Sequence, residues 1–317
     1  MKQAALQPNP LPTRKFSDPQ TTANGAPRAR VSLRGLETLW INTGTLCNLT
    51  CRHCYIESSP RNDRLVYISA SEAVAYLNEI ERDGWHTTTI GFTGGEPFMN
   101  PELARMLEEA LTRGFRVLVL TNAMKPMMKR RQTLLALRKR YGSRLTLRVS
   151  IDHYTQPLHE SERGRRTWAP TLEGLQWLAR NGFALSVAAR TFSGETQDAV
   201  RRGYQCLFDR LDIALDAFSP TQLILFPEMD ADADVAEITE ACWGILEKSP
   251  DEVMCASSRM VVKRRGEAHP VVVSCTLLPY DKQFELGRTL ADANTSVALN
   301  HPHCARFCVL GGASCSQ

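Results

Sequence analysis

The sequence contains no apolar run approaching the roughly 18 residues of a membrane span, and its N-terminus lacks the apolar core of a secretory signal. It also lacks a strong excess of either charge, because the net charge is +4 over 317 residues. These absences predict a cytoplasmic protein without a membrane partner, and they give no case for nucleic acid as an obligate partner. Hydrophobic residues make up 43% of the chain, which is typical of a globular protein with a sizeable core.

Cysteine, by contrast, is abundant, with ten residues in a chain that carries no export signal. In a reducing cytosol, spaced cysteines bind metal or do redox chemistry more often than they form disulfides. Three of the ten lie within residues 47–54 and five within residues 255–315. The sequence therefore indicates metal-binding segments at two separate places in the chain.

The chain divides into three parts by composition and periodicity. Residues 1–35 are rich in Pro, Ala, Thr and Arg without any period, which predicts a disordered segment. Across residues 36–228, strand and helix patterns alternate about six times, which predicts parallel strands with covering helices. Six units allow either a partial barrel or a doubly wound sheet. Residues 229–317 carry one more helical pattern over 234–248, then short strands and cysteines, and we expect a separate small module there.

Two of the predicted strands have one apolar and one polar face. Residues 145–152 alternate between aliphatic and polar side chains, and residues 183–190 do the same. Ser150, Asp152 and Arg190 fall at the carboxyl ends of these strands, where barrel and sheet enzymes place their chemistry. The polar face is thus expected to line a cavity, with solvent exposure or a buried salt bridge as the alternatives.

The first cysteine group is Cys47, Cys51 and Cys54, at spacings of four and three residues directly after a predicted strand. Three thiolates on one loop can bind one face of an iron–sulfur cube and leave its fourth iron open to a small molecule. Zinc is the alternative, but it favours a closer pair of cysteines or a nearby histidine as fourth ligand. His53 lies between two of the cysteines, where its ring cannot easily turn back to the same ion.

This CxxxCxxC motif resembles the signature of the radical S-adenosylmethionine (SAM) superfamily. The resemblance implies a partial (βα)6 TIM-like barrel and a [4Fe-4S] cluster whose open iron is chelated by SAM. It also implies that one electron from the cluster cleaves SAM to a 5′-deoxyadenosyl radical, which abstracts hydrogen from a substrate. His53 occupies the place of the aromatic residue that lies near the adenine in this family.

Further motifs of that superfamily follow in order over about residues 37–228. Gly94, Gly95 and Glu96 match the GGEP motif that receives the SAM amino group, since glycines allow close backbone approach. Thr121 and Asn122 resemble the family's TN pair at the end of strand three. By the same resemblance, Ser150 and Asp152 would contact the ribose and Arg190 the SAM carboxylate.

The second cysteine group comprises Cys255, Cys275, Cys304, Cys308 and Cys315. Two distant cysteines followed by a close group resemble the SPASM and twitch modules, which bind auxiliary [4Fe-4S] clusters. Five cysteines can ligate one such cluster with one residue to spare, and the sequence leaves open which one is spare. A structural zinc or unligated thiols are the alternatives.

The sequence thus predicts an enzyme that cleaves SAM at a [4Fe-4S] cluster and abstracts hydrogen from a peptide or a small biosynthetic intermediate. We expect an electron donor such as flavodoxin or ferredoxin as a partner. Two rival hypotheses are a non-catalytic iron–sulfur carrier or scaffold and a zinc-stabilised binding protein. The carrier would explain the cysteines but not the GGEP turn or the polar strand faces.

Overall fold

A computed structural model describes residues 14–228 and 234–316. Its main feature is a nine-stranded sheet in the order β10-β9-β8-β2-β3-β4-β5-β6-β7, accompanied by a two-stranded sheet of β1 and β11. The strands are β1 Arg30–Val31, β2 Thr38–Asn42, β3 Thr89–Thr93, β4 Arg116–Thr121, β5 Leu145–Ser150, β6 Ala184–Thr191, β7 Leu223–Pro227, β8 Ser258–Val262, β9 Val271–Val273, β10 Glu285–Gly287 and β11 Val297–Ala298.

Helices lie between the strands of the larger sheet. They are α1 Ala70–Arg82, α2 Leu103–Thr112, α3 Lys125–Met128, α4 Arg131–Tyr141, α5 Gln156–Arg163, α6 Trp168–Arg180, α7 Gln197–Arg210 and α8 Cys242–Ile245. Ser69 followed three residues later by Glu72 predicts a capping box at the start of α1. The box is present, because the Ser69 side chain and the Glu72 side chain each accept the other residue's backbone N–H. The sequence pattern over residues 127–141 predicts one helix after β4, but the structure has two, α3 and α4.

Strands β2 to β7 are all parallel and neighbour one another in chain order. This order makes a partial barrel and not a doubly wound sheet, since a doubly wound sheet reverses direction partway. The prediction of a partial (βα)6 barrel is therefore confirmed. Each strand delivers its carboxyl end to the same rim, which gathers the residues that follow the strands.

The C-terminal part of the chain is continuous with the barrel sheet, contrary to the separate module expected. Strand β8 pairs in parallel with β2, and β9 and β10 extend the sheet by antiparallel pairing. The domain boundary expected near residue 228 falls beside residues 229–233, which lie outside the described part. Of the helix predicted over 234–248, only Cys242–Ile245 is helical.

The two faces of the barrel sheet carry different cores. Leu145, Leu147 and Val149 of β5 are fully buried against the covering helices, as their alternation predicts. Inside the barrel, Trp40 of β2 and Met260 of β8 belong to a second apolar cluster that includes four C-terminal cysteines. The barrel interior is therefore partly filled by the C-terminal segment.

Residues 14–35 are packed onto the C-terminal region, which corrects the prediction of disorder for that range. Strand β1 pairs with β11, and Arg28 is buried beside Glu237 at 2.6 Å. The disorder predicted for residues 1–13 falls outside the described residues. Composition missed this segment because its order comes from contacts more than 200 residues distant in the chain, which carry no local period.

Within the described residues, no helix is both long enough and apolar enough to cross a membrane.

Candidate functional site

The three cysteines of the loop after β2 face one cavity of about 170 Å³ at the carboxyl ends of the barrel strands. Cys47 is buried, whereas Cys51 and Cys54 are partly exposed. The backbone N–H of Leu49 donates to the Cys47 Sγ at 3.4 Å, and that of Ser58 donates to the Cys54 Sγ at 3.3 Å. Backbone donors of this kind hold thiolate sulfur atoms in place and tune the potential of iron–sulfur clusters.

The loop fits a positively charged metal group better than bare thiols. Burial raises the pKa of Cys47 to about 12 and also raises the pKa of Cys51. Thiolates are thus costly here unless a metal compensates their charge. No three His, Cys, Asp or Glu side chains of the described residues converge on a single metal ion. Each ligand of a four-iron cube binds a different iron, so three thiols spread around one cavity suit a cube.

The Gly94-Gly95 turn after β3 packs tightly on the cysteine loop. The Gly95 N–H donates to the Gly44 carbonyl at 2.9 Å, and the Glu96 N–H donates to the Leu46 carbonyl at 3.2 Å. A Cβ at Gly95 would lie 2.3 Å from the Leu46 carbonyl oxygen, and Gly94 has a φ of +138°. Both glycines, which are predicted to contact the SAM amino group, line the cavity. Both positions require glycine because a side chain there would collide with the cysteine loop. This packing could not be predicted from the sequence.

Glu96 ties the ends of β3 and β4 together. Its Oε1 accepts from the Thr121 hydroxyl at 2.8 Å and from the Phe98 N–H at 3.3 Å, and its Oε2 accepts from the Asn122 N–H at 2.8 Å. Burial raises the pKa of Glu96 to about 7. Asn122 in turn donates its side-chain amide to Asn48 of the cysteine loop at 2.9 Å. Glu96 therefore positions the cavity wall, and Asn122 lies in that wall.

Asp152 and Ser150, both predicted site residues, line the cavity beyond the end of β5. Each carboxylate oxygen of Asp152 lies close to Arg163: Oδ2 is 2.9 Å from Nε, and Oδ1 accepts from Nη2 at 3.0 Å. The Asp152 carboxylate is among the causes that raise the pKa of Arg163. Arg163 also lines the cavity. Arg163 is not among the cofactor-binding residues predicted from the sequence, where the run Glu162-Arg163-Gly164 indicated either a substrate contact or surface structure.

His53 and Arg190 meet at one buried carboxylate. The Glu162 Oε2 lies 2.7 Å from the His53 Nδ1 and accepts from the Arg190 Nη1 at 2.6 Å. The Glu162 backbone carbonyl also accepts from the Arg52 N–H of the cysteine loop. Glu162 was not predicted as a site residue, because it lies in α5, far in sequence from both of its partners. It links the cysteine loop to β6.

The five C-terminal cysteines lie beside the barrel interior. Cys304 and Cys308 are on a π-helical segment, Cys304–Leu310. Cys255 lies in a short 3-10 helix, Met254–Ala256, Cys275 in a loop and Cys315 in a turn. Phe307 of that segment stacks on Phe226 of β7 at 5.5 Å. The segment thus covers the open side of the partial barrel next to β7.

The surroundings of Arg259 indicate whether the region around the C-terminal cysteines can accommodate an anionic group. It is fully buried, and within the described residues it forms no ion pair. Its guanidinium donates to the carbonyls of Cys255, Ala293 and Thr295. Burial lowers the pKa of Arg259, while the charges of Cys255 and Cys275 raise it. A buried cation beside these thiols, without a carboxylate, fits a thiolate-bound cluster with net negative charge.

Tyr55, which the sequence analysis also missed, lies between the two cysteine groups. Its ring lines the cavity, and the charges of Cys54, Cys275 and Cys315 all act on its hydroxyl. Burial is the main reason that the pKa of Tyr55 is raised. Tyr55 is therefore within electrostatic range of cysteines from both groups.

The fold and the site define a class of protein: a partial barrel with a cysteine loop at the carboxyl ends of its strands and a second group of cysteines in the C-terminal part of the chain. The sequence model of the Radical SAM superfamily matches residues 41–207. The chain belongs to this superfamily. Membership implies a [4Fe-4S] cluster and SAM as cofactors.

Curated relatives match only part of the chain. The antilisterial bacteriocin subtilosin biosynthesis protein AlbA of Bacillus subtilis is 32% identical over 147 residues, 46% of this chain and 31% of AlbA. The mycofactocin maturase MftC of Mycobacterium ulcerans is 28% identical over 44% of this chain and 35% of MftC. An AdoMet-dependent heme synthase of Oleidesulfovibrio alaskensis is 27% identical over 53% of this chain and 40% of that protein. The matches thus span only 31–40% of the length of these relatives.

Solved structures share the fold at low sequence identity. SuiB of Streptococcus suis bound to its precursor peptide SuiA has a TM-score of 0.59 at 13% identity, covering 81% of this chain and 63% of SuiB. Native anSMEcpe with bound AdoMet has a TM-score of 0.57 at 14% identity, covering 81% of this chain and 79% of the other. These likenesses support the partial barrel.

Proposed function

We propose that this chain is a radical SAM enzyme that reductively cleaves SAM and abstracts hydrogen from a substrate in the cavity described above. The observation that carries the proposal is the position of Cys47, Cys51 and Cys54 around one cavity, together with the ends of five neighbouring strands, β3 to β7. A carrier or scaffold would not require a polar strand rim at this place. The bound cluster and SAM would supply the electron transfer and the carbon radical.

Residues from several strands and from the cysteine loop would each contact a different part of SAM. The backbone of Gly94 and Gly95 would accept hydrogen bonds from the amino group, and Ser150 and Asp152 would contact the ribose. Arg190 has one guanidinium nitrogen on Glu162, so its remaining nitrogens are available for the SAM carboxylate. His53 would lie along the adenine, with its ring orientation fixed by Glu162. Asn122 and Glu96 would hold the ends of β3 and β4 and the cysteine loop in position by hydrogen bonds.

The cavity also has an apolar side that would keep water from the reaction. Phe226 and Phe307 line it opposite the cysteine loop, and Leu120 and Leu277 complete that wall. An apolar wall strengthens the electrostatic contacts made within the site and protects a reactive intermediate from solvent.

The C-terminal cysteines would bind an auxiliary [4Fe-4S] cluster. The buried Arg259 beside Cys255 and Cys275 supports this part of the proposal, because its charge would offset that of the thiolates. A structural zinc at the same place is the alternative, and metal analysis separates the two.

A peptide is the substrate we favour, because AlbA and MftC are named for bacteriocin biosynthesis and mycofactocin maturation. A small molecule is the second candidate, since the matched heme synthase covers a similar share of this chain. The electron donor would be a soluble carrier such as flavodoxin or ferredoxin. Five exposed basic residues on the cysteine loop and on the segments that follow β4 and α5 form no ion pair within the described residues, which supports docking of an acidic carrier: Arg52, Lys125, Lys129, Arg165 and Arg166.

The decisive experiment is anaerobic. The purified chain is reconstituted with iron and sulfide, reduced with dithionite, and assayed with SAM for 5′-deoxyadenosine. We expect product from the wild type and none from a variant with Cys47, Cys51 and Cys54 changed to Ala. Zinc in place of iron, with no product at any substrate tested, would overturn the proposal.

A second experiment addresses the substrate class. Short peptides encoded beside this gene are incubated with the reduced enzyme and SAM, and their masses are compared before and after. A mass change in one peptide that depends on Cys51 would support peptide maturation. Stimulation of SAM cleavage by small molecules alone would favour the second candidate.

A further inference from the structure

Just outside the cavity, the loops that follow β5 and β6 are joined through the carboxylate of Glu195. Its Oε1 accepts from the Tyr154 hydroxyl at 2.5 Å, and its Oε2 lies 2.9 Å from the His153 Nε2. His153 is buried, and its ring stacks on that of Tyr154 with 4.1 Å between the centroids. One residue of the loop after β6 therefore holds two successive residues of the loop after β5.

The second partner of His153 shows which ring nitrogen carries the hydrogen. The Thr155 backbone N–H, which can only donate, lies 3.0 Å from the His153 Nδ1. Nδ1 is therefore an acceptor, so the hydrogen is on Nε2, which donates to Glu195. The hydrogen bond from Tyr154 is the main reason that the pKa of Glu195 is lowered to about 2. An ionised carboxylate thus holds a neutral imidazole in one orientation.

Ring contacts lead from His153 to Arg190. The His153 ring meets the Phe192 ring edge to face, with 6.0 Å between the centroids. The Arg190 Cζ lies 5.6 Å from the centroid of the same Phe192 ring. A guanidinium at this distance is attracted by the negative face of an aromatic ring. Arg190 is therefore held by Phe192 as well as by Glu162, which accepts from its Nη1.

The residues behind Arg190 differ from it in their relation to the cavity. Arg190 and Asp152 line the cavity, whereas His153, Phe192 and Glu195 are absent from the wall that the described residues form. The Arg190 N–H donates to the Asp152 carbonyl at 3.2 Å, so the two strand ends are already joined by backbone. That bond does not fix the long Arg190 side chain. A bidentate contact with a carboxylate does require a fixed guanidinium plane.

We infer that Glu195 is a positioning residue for the SAM carboxylate, acting through His153 and Phe192 on the Arg190 guanidinium. This inference rests on the proposed function and extends it. Glu195 itself touches neither SAM nor the substrate. It keeps the loop after β6 against the loop after β5, so that Arg190 is oriented before SAM binds. Less side-chain freedom is then lost on binding, which strengthens the affinity for SAM.

The first test compares two substitutions of Glu195 by equilibrium dialysis of SAM against the anaerobically reconstituted chain. Glu195→Ala removes both hydrogen bonds, and we expect the dissociation constant for SAM to rise about fivefold. Glu195→Gln should stay within about twofold of the wild type, because its amide can accept from His153 and donate to the Tyr154 oxygen. Asp198→Ala removes an exposed pair with Arg202 on α7 and should bind SAM as the wild type does.

A double-mutant cycle shows whether Glu195 acts through Arg190. Arg190→Ala should weaken SAM binding, and adding Glu195→Ala to it should change the dissociation constant by less than about twofold. Phe192→Leu removes the ring that contacts Arg190 and keeps the hydrogen bonds of Glu195. It should raise the dissociation constant as Glu195→Ala does, and it tests the same path if Glu195→Ala fails to fold. Iron content and the electron paramagnetic resonance spectrum without SAM report folding of every variant.

The outcomes separate the inference from the proposed function. The inference alone is overturned if the wild type binds SAM and both Glu195→Ala and Phe192→Leu bind it equally well. It is also overturned if Glu195→Ala weakens binding by the same factor with and without Arg190, since the effect would then bypass the guanidinium. A reconstituted wild type that holds its iron but binds no SAM would overturn the proposed function itself.

Discussion

At the scale of single residues, the cavity is organised by charged groups that the chain itself pairs. Glu162 holds both His53 and Arg190, and Arg163 holds Asp152. Three of these five residues were identified from the sequence, because each follows a strand or lies beside a cysteine. Their partners on α5, Glu162 and Arg163, were not predicted to bind a cofactor. The sequence around a helix residue that faces inward does not show which distant residue it contacts. A polar rim could thus be predicted, but not its pairing.

Glu162 offers a direct test of this pairing. Glu162→Gln removes the charge that orients His53 and Arg190, and we expect the dissociation constant for SAM to rise about tenfold, or about 1.4 kcal/mol. Equilibrium dialysis on the reconstituted protein measures it. Glu160→Gln on the same helix is the control and should bind SAM as the wild type does. Tighter binding by Glu162→Gln would mean that Glu162 competes with SAM for Arg190.

His159 makes a prediction about pH. Its ring is fully buried beside Trp168, neither ring nitrogen has a hydrogen-bond partner within the described residues, and burial lowers the pKa of His159 to about 4. The unfolded chain, with an ordinary histidine pKa near 6.5, binds a proton at higher pH than the folded chain does. Stability therefore falls as pH drops below about 6.5, by about 1 kcal/mol between pH 7.5 and 5.5.

Urea unfolding at several pH values checks this expectation. His159→Leu should flatten the decline over that range, since leucine carries no proton in either state. His86→Leu, at an exposed position, should keep the wild-type slope. An unchanged slope in His159→Leu would show that another group is responsible.

At the scale of elements, local sequence signals were most reliable where a periodic segment begins or ends at a cap. The Ser69 capping box and the alternation of β5 both predicted what is observed. The same reasoning failed for residues 14–35 and 234–248. Their order depends on distant partners such as Glu237, which accepts from the N–H groups of Phe16 and Ala23. Such long-range contacts leave no period in the segment itself.

The packing of the turn after β3 on the cysteine loop depends on Gly95. A methyl group there would meet the Leu46 carbonyl, so Gly95→Ala should destabilise the fold by about 1–3 kcal/mol and lower the iron bound per chain. Gly244→Ala is the matched control, because nothing lies within 4 Å of its added methyl. Anaerobic urea unfolding and iron analysis measure both effects. Full iron occupancy in Gly95→Ala would contradict the close packing described for this turn.

At the scale of the whole molecule, both ends of the described chain pack against distant parts of the fold. Residues 14–31 pack on the C-terminal part, and the segment through Ser316 enters the barrel beside Trp40. The resemblance to a partial-barrel family predicted the barrel itself. The continuous sheet through β8 to β10 was not predicted, because strands of three to five residues joined by loops carry no signal of their neighbours.

The buried Arg28–Glu237 pair tests the N-terminal closure. Glu237→Ala leaves Arg28 buried without its charge partner, which should cost about 3–5 kcal/mol and expose residues 14–31 to protease. Asp234→Ala removes a mostly exposed pair with Lys15 and should change stability by less than about 1 kcal/mol. Limited proteolysis and thermal unfolding compare the two variants. Equal protection of the N-terminal segment in both would mean that the pair does not hold it.

The central claim is that SAM binds directly to a cluster held by Cys47, Cys51 and Cys54. Its most direct test is electron paramagnetic resonance of the dithionite-reduced chain, with Cys304 and Cys308 changed to Ala so that one cluster remains. The account predicts a reduced-cluster signal whose g values shift when SAM is added, and no signal once Cys51 is also changed to Ala. A signal that saturating SAM leaves unchanged would contradict the account.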